Sequence, residues 1–311
     1  LFKRNVLPGL ILLCSTALMA VGCTDHKQLK QDLQAAVQKQ EQALANHFSG
    51  TVDLKLDASL FQGAAPMAAA MLTTLKDSHI EYSGAATLAE PVRMEATLKV
   101  LPKGAASSID MPLLIKDNKL YLQMPAINKP DEYLMLPLDK GPERLKNTGH
   151  LSSVVYGKLL EGINPDWLEP GQQQETLPGS TEPVKRITLN ITDKNQKAAA
   201  DAINGVIPGI LSELLQSGLS TSAQTDQWKK AMSTFQVTSP SSVSMLIDNQ
   251  GFIREQSGKL QFRVDASSAV QAMEWKHTTS DINQTISFTQ DEPKQVKSMD
   301  DILRLVAAPK K

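Results

Sequence analysis

The chain has 311 residues, 41% hydrophobic and 5% aromatic, with 32 Lys and Arg against 33 Asp and Glu. That length suffices for one large domain or two modest ones. The near-balanced charge gives no electrostatic reason to expect nucleic acid as a partner.

Residues 1–22 read as an export signal. Lys3 and Arg4 precede an apolar run from Leu10 to Val21, shorter than the roughly 20 residues a helix needs to cross a bilayer. The run closes on Ala20-Val21-Gly22-Cys23, which resembles the lipobox of bacterial lipoproteins, although Ala20 stands where Leu is most usual. In that family the cysteine is diacylated and becomes the new N-terminus. The resemblance implies lipid attachment at Cys23 and an extracytoplasmic protein held on the outer face of the cell membrane, since two acyl chains make attachment stable where one does not. Loss of Lys3 and Arg4 with the signal takes the net charge from −1 to −3. Of the two cysteines, Cys14 leaves with the signal and Cys23 is blocked, so stability must come from the core and not from disulfides.

Residues 23–45 are expected to form a tether and an amphipathic helix. From Lys27 to His47 the residues Leu29, Leu33, Ala36, Val37, Leu44 and Phe48 recur at helical spacing among polar neighbours. Residues 46–311 are expected to form one α+β domain. In Thr51–Asp57 every second residue, Val52, Leu54 and Leu56, is apolar, as in a strand with one wet face. The alternation returns at Met94–Val100, Arg186–Thr192, Leu260–Asp265 and Gln284–Thr289. Asp117-Asn118-Lys119 and Asp248-Asn-Gln-Gly251 each separate two apolar runs and read as hairpin turns, which imply a mainly antiparallel sheet.

Helical stretches are few but apolar. Ala64–Leu75 carries Met67 and Met71, and Leu151–Leu160 carries Val154, Val155 and Leu159. Ala198–Leu215 shows a broad stripe through Ile203, Ile207, Ile210, Leu211 and Leu214, and Pro208 predicts a kink or two short helices there. Trp228, Ala231, Met232 and Phe235 mark a further short helix, and Ser298 with Asp301 reads as the cap of a C-terminal one. The longest irregular connection, Asn164–Pro183, is rich in Pro, Gly and Gln and carries Trp167.

The lipobox, the first amphipathic helix, the one-sided sheet and hairpins such as Ile115–Leu122 together resemble the envelope lipoproteins of the LolA/LolB and LppX/LprG-like superfamily, over about Asn46–Thr289. The pattern looks closest to large lipoproteins of Gram-positive bacteria within that group. It implies a large curved, mainly antiparallel half-barrel sheet with apolar helices on its concave face, enclosing a cavity for acyl chains or a lipid-modified cargo. These proteins share no fixed ligand motif, so the family places no binding residue.

Catalytic chemistry finds no support. There is no Gly-x-Ser-x-Gly elbow, no His-Glu-x-x-His, no phosphate-binding glycine loop and no Cys/His cluster, and His26, His47, His79, His150 and His277 lack ligand spacing. No enzyme activity, cofactor or metal is therefore expected. Two functional readings stand side by side. One is a carrier or sensor for a hydrophobic ligand such as a lipid, with Ile207, Ile210, Leu211, Leu214, Met67 and Met71 as candidate cavity lining, because apolar helix surface and pliant methionines suit an adaptable pocket. The other is a tethered module without a cavity that recognises an envelope protein partner through the Asn164–Pro183 loop, in which Trp167 either anchors the partner or tucks under the loop.

Overall fold

The computed structural model describes residues 24–58, 73–125, 128–138, 141–172, 175–177, 181–217, 220–264 and 268–298. The expected signal, Cys23, the expected helix around Met67 and Met71 and the stretch after Ser298 lie outside them, apart from a helical turn at 73–75.

The chain enters through α1 (His26–Gln40), then β1 (Ala45–Lys55), β2 (Ser78–Thr87), β3 (Arg93–Pro102), β4 (Ile109–Lys116), β5 (Lys119–Leu122) and β6 (Glu132–Pro137). It continues through α2 (Gly141–Gly162), a 3-10 turn at Pro165–Trp167, β7 (Leu168–Pro170) and β8 (Val184–Ile191). Then come α3 (Gln196–Gln216), α4 (Ser222–Met232), β9 (Gln236–Asp248), β10 (Ile253–Arg263), β11 (Gln271–Ser280) and β12 (Gln295–Ser298). The twelve strands of the described residues lie in one open sheet, in the order β12-β6-β5-β4-β3-β2-β1-β11-β10-β9-β8-β7. Every neighbouring pair is antiparallel except β12 with β6. The α+β class and the mainly antiparallel sheet expected from the sequence are thus the observed architecture.

Both expected hairpins form. Asp117 and Asn118 adopt φ of 50° and 58° between β4 and β5, a pair of left-handed residues that suits a two-residue turn. Between β9 and β10, Gly251 takes φ of 86° and the Asp248 carboxylate accepts from the Gln250 and Phe252 amides at 3.0 and 2.9 Å.

The first helix is shorter than its periodicity suggested. It is capped by Asp25, which accepts from Gln28 N at 3.0 Å, and it ends at Gln40. Leu29, Leu33, Ala36 and Val37 are buried against Leu160 of α2 and against Leu168, Ile187, Met245, Ile247 and Ile253 of the sheet. Leu44 is exposed and Phe48 belongs to β1; a spacing of four fits helix and strand alike, and the pairing of β1 with β2 and β11 decides for strand. Lys30 reaches the Glu161 and Ile163 carbonyls, so α1 closes the C-terminal end of α2.

Two further expectations are corrected. Of the kink or two short helices expected at Pro208, the two-helix alternative is the one overturned: Gln196–Gln216 is one helix through Pro208, because α2 on one side and β9 on the other hold it while the proline costs a single internal hydrogen bond. Gln284–Thr289 is not a strand. Both edges of β1 are already paired, so the segment after β11 crosses the face of the sheet away from the helices without joining the ladder. Thr289 N and Gln290 N donate to Glu95 at 3.1 and 2.9 Å, Arg93 lies over the Phe288 ring, and Glu292 accepts from Lys119 and Tyr121. That strap, ending in β12, leaves Tyr121 and Leu114 each only 1% exposed.

Candidate functional site

Strand alternation and register together define the face on which the helices pack. In one row across the sheet stand Val100, Ile80, Val52, Trp275, Gly258, Val243, Leu189 and Leu168, each directly paired with the next. The next row runs Leu98, Tyr82, Gly50, His277, Gln256, Met245 and Ile187. A third holds Leu113, Ala96, Gly84, Phe48 and Thr279. The expectation that one sheet face is apolar holds almost throughout, and the exceptions cluster at its centre.

Each of the three rows contains a glycine, and beside each glycine an aromatic ring leans over it. A Cβ at Gly258 would meet Trp275 Cη2 at 2.5 Å, one at Gly84 would meet Phe48 Cζ at 2.8 Å, and one at Gly50 would fall on the Tyr82 hydroxyl. Glycine within a strand marks a close approach, and rings laid over such glycines restore the packing that the missing side chains forgo. The rings form a layer: Phe48, Tyr82 and His277 have centroids 5.9 to 6.4 Å apart, and the Tyr82 and His277 planes differ by 22°.

Leaning over Gly50 brings the Tyr82 hydroxyl to His277 Nδ1 at 2.9 Å, and Thr279 Oγ1 lies 3.3 Å from Nε2. Either neutral tautomer satisfies both contacts: protonated on Nε2 the ring accepts from Tyr82 and donates to Thr279, and protonated on Nδ1 it donates to Tyr82 and accepts from Thr279. Tyr156 of α2 donates to Gln256 Oε1 at 3.1 Å, beside His277 in the row. Burial lowers the His277 pKa, so the imidazole favours its neutral form, and burial raises those of Tyr82 and Tyr156, so their hydroxyls stay donors. Tyr82, Tyr156, Gln256 and His277 are half-buried, and Thr279 is buried.

The lowered His277 pKa sets a sign for acid sensitivity. Above about 6.5 the ring is neutral folded or unfolded; as pH falls through that value the unfolded chain gains a proton that the folded chain resists, so stability is lost. His79 acts oppositely, because hydrogen bonding to Asp53 raises its pKa, but it is exposed and screened. In a His79→Gln background the melting temperature is expected to drop between about pH 7.5 and 5.5, and adding His277→Gln is expected to shrink that drop. An unchanged drop would exclude His277 as its source.

His277 was legible only as one of five scattered histidines. The missed signal is local: in Met273-Glu-Trp275-Lys-His277 the alternation puts His277 in register with two apolar neighbours that face the helices. The residues expected to line a cavity divide. Met67 and Met71 lie outside the described residues; on α3, Ile207 and Leu211 are buried while Ile210 and Leu214 are half-buried. By length and composition alone α3 is apolar enough to cross a membrane. It lies instead beside α2, where Gly162 approaches Ala202, and Ala199 and Ala200 join the core with Ile191 and Val237. Trp167 packs onto that same core cluster, so the Asn164–Pro183 loop does not present it as a free anchor. Farther along the same segment, Glu175 pairs with Arg186 of β8 at 2.9 Å.

On the opposite face an open cleft of about 380 Å³ is walled by Ser49, Thr51, Glu81, Thr97, Lys99 and Lys276. Its hydroxyls and charges offer little to an acyl chain. Among the described residues no group of His, Cys, Asp and Glu is placed to hold a metal ion.

No family model and no curated protein matches the chain. Among solved structures, the crystal structure of LprF from Mycobacterium bovis is similar, at 10% identity over 85% of this chain and 97% of that one, with a TM-score of 0.39. The fold described above rests on its own strand order and not on that likeness.

Proposed function

We propose that the protein is a lipoprotein, anchored through Cys23 on the outer face of a membrane, that holds a hydrophobic ligand of the acyl-lipid class against the helix-bearing face of its sheet as a carrier or sensor. The observation that supports this most is the breadth of apolar surface that stays half-buried. Val52, Leu54, Ile80, Leu98, Met111 and Met273 all point to that face and none is fully covered. An ordinary core would be expected to cover them, whereas an acyl chain laid across them gains about 0.8 kcal/mol for each CH₂ it buries. The methionines add surface that reshapes around a ligand at little cost.

Native mass spectrometry of the protein from a membrane-containing host, followed by lipid extraction, tests the reading. A bound lipid is expected, lost in Leu98→Lys and Met273→Lys variants that keep their circular dichroism. A clean apo mass from folded wild type that also takes up no added lipid would sink it. The anchor is tested separately: Cys23→Ala is expected to abolish acyl labelling and move the protein from the membrane to the soluble fraction, and an unchanged membrane fraction would overturn the assignment.

A further inference from the structure

Tyr82, His277 and Gln256 come from β2, β11 and β10, yet they meet in one row of the helix-bearing face, bounded by Leu98 on one side and Met245 on the other. Polar groups in such surroundings cost free energy unless their hydrogen bonds are made. Internal pairing accounts for part of that requirement. His277 has a partner on each nitrogen and Gln256 Oε1 accepts from Tyr156. Two capacities are left over: whichever way the Tyr82–His277 hydrogen bond runs, the Tyr82 oxygen keeps a lone pair, and among the described residues nothing engages the Gln256 amide nitrogen. From β3 to β11 the three central rows carry no Lys, Arg, Asp or Glu on this face.

We infer that this strip anchors the oxygen-bearing end of a bound acyl lipid, with the Gln256 amide donating to an ester carbonyl and the Tyr82 oxygen accepting from a free hydroxyl, while the chains run over the apolar rows. The inference deepens the lipid-binding reading above and rests on it. It also names a class. A carboxylate or phosphate placed here would be desolvated with no cation in the three rows to meet it, so the site selects neutral, hydroxylated acyl esters over fatty acids and phospholipids. Gly50 belongs to the device, because a side chain there would displace the Tyr82 hydroxyl.

The test uses the full chain extracted from membranes into detergent micelles, with uptake of monoolein, oleate and 1-octadecene compared by native mass spectrometry at neutral pH. Wild type is expected to prefer monoolein to 1-octadecene by about tenfold, the scale of one or two hydrogen bonds, and to take oleate less well than monoolein. Tyr82→Phe with Gln256→Leu is expected to erase the preference while uptake of 1-octadecene persists. If the ester preference survives in that double variant, the anchor is overturned and lipid binding stands. If oleate outcompetes monoolein, selection for a neutral ligand is overturned. If folded wild type takes up none of the three, both the anchor and the lipid-binding reading fall. Tyr82→Phe alone, which removes one oxygen and no ring packing, carries the comparison should the Gln256 substitution unfold the chain.

Discussion

Replacing Asp248 by alanine is expected to destabilise the protein by about 3 kcal/mol, the scale of removing one partner from a buried, hydrogen-bonded charge pair. The Asp248 side chain is 2% exposed and serves three donors: the Gln250 and Phe252 amides through Oδ1 and Arg254 through Oδ2 at 3.2 Å. Phe252 is buried, so its amide loses its acceptor with no water to replace it. Arg254 keeps the Thr279 carbonyl, which limits the cost on that side. The melting temperature should fall by roughly 6 to 12 °C at 2 to 4 °C per kcal/mol for a domain of this size. Asp248→Asn retains an acceptor for the two amides and should cost about a third as much. An alanine variant that melts with wild type would refute the idea that this carboxylate pins the β9–β10 hairpin.

That hairpin illustrates what a single sequence discloses. Asp248-Asn-Gln-Gly251 and Asp117-Asn118 are readable because the turn chemistry is local: the residues that need left-handed backbone or cap their own amides are the ones present. The α1 stripe is readable for the same reason, since Leu29, Leu33, Ala36 and Val37 lie within three turns of one another. Reading failed where the answer depended on a partner far away in the chain. Residues 284–289 alternate as a strand would, but whether alternation becomes a ladder depends on a free neighbouring edge, and β1 offers none. The central strip of the candidate site is the extreme case. Gly50, Tyr82, Gln256 and His277 come from four strands, and no spacing within any one of them announces that they share a row. The pairing of β1 with β2 and β11, together with that of β11 with β10, brings them together. A glycine in an otherwise alternating strand, beside an aromatic in another, is the signal to look for once pairing is known.

Gly50→Ala is expected to be the most informative single substitution in that strip. The added Cβ would fall on two things at once, the backbone carbonyl of Lys276 and the Tyr82 hydroxyl. A flexible side-chain tip yields cheaply, but a carbonyl held in the β1–β11 ladder does not, so the strand pairing itself must shift. Overpacking of this kind costs about 1 to 3 kcal/mol, and the upper half of that range is expected because the contact includes backbone. Loss of the Tyr82 to His277 hydrogen bond should add to it. Combining Gly50→Ala with Tyr82→Leu separates the two causes, since neighbouring residues that share a contact are not additive. If the ring is part of the clash, the double variant should be more stable than the sum of the singles predicts, by about 1 kcal/mol. It should still melt below Tyr82→Leu alone, because the Lys276 carbonyl remains in the way. Gly50→Ala at wild-type stability would mean that β1 and β11 move apart freely at this point. The register that aligns Tyr82, His277 and Gln256 would then be too soft to hold a ligand in place.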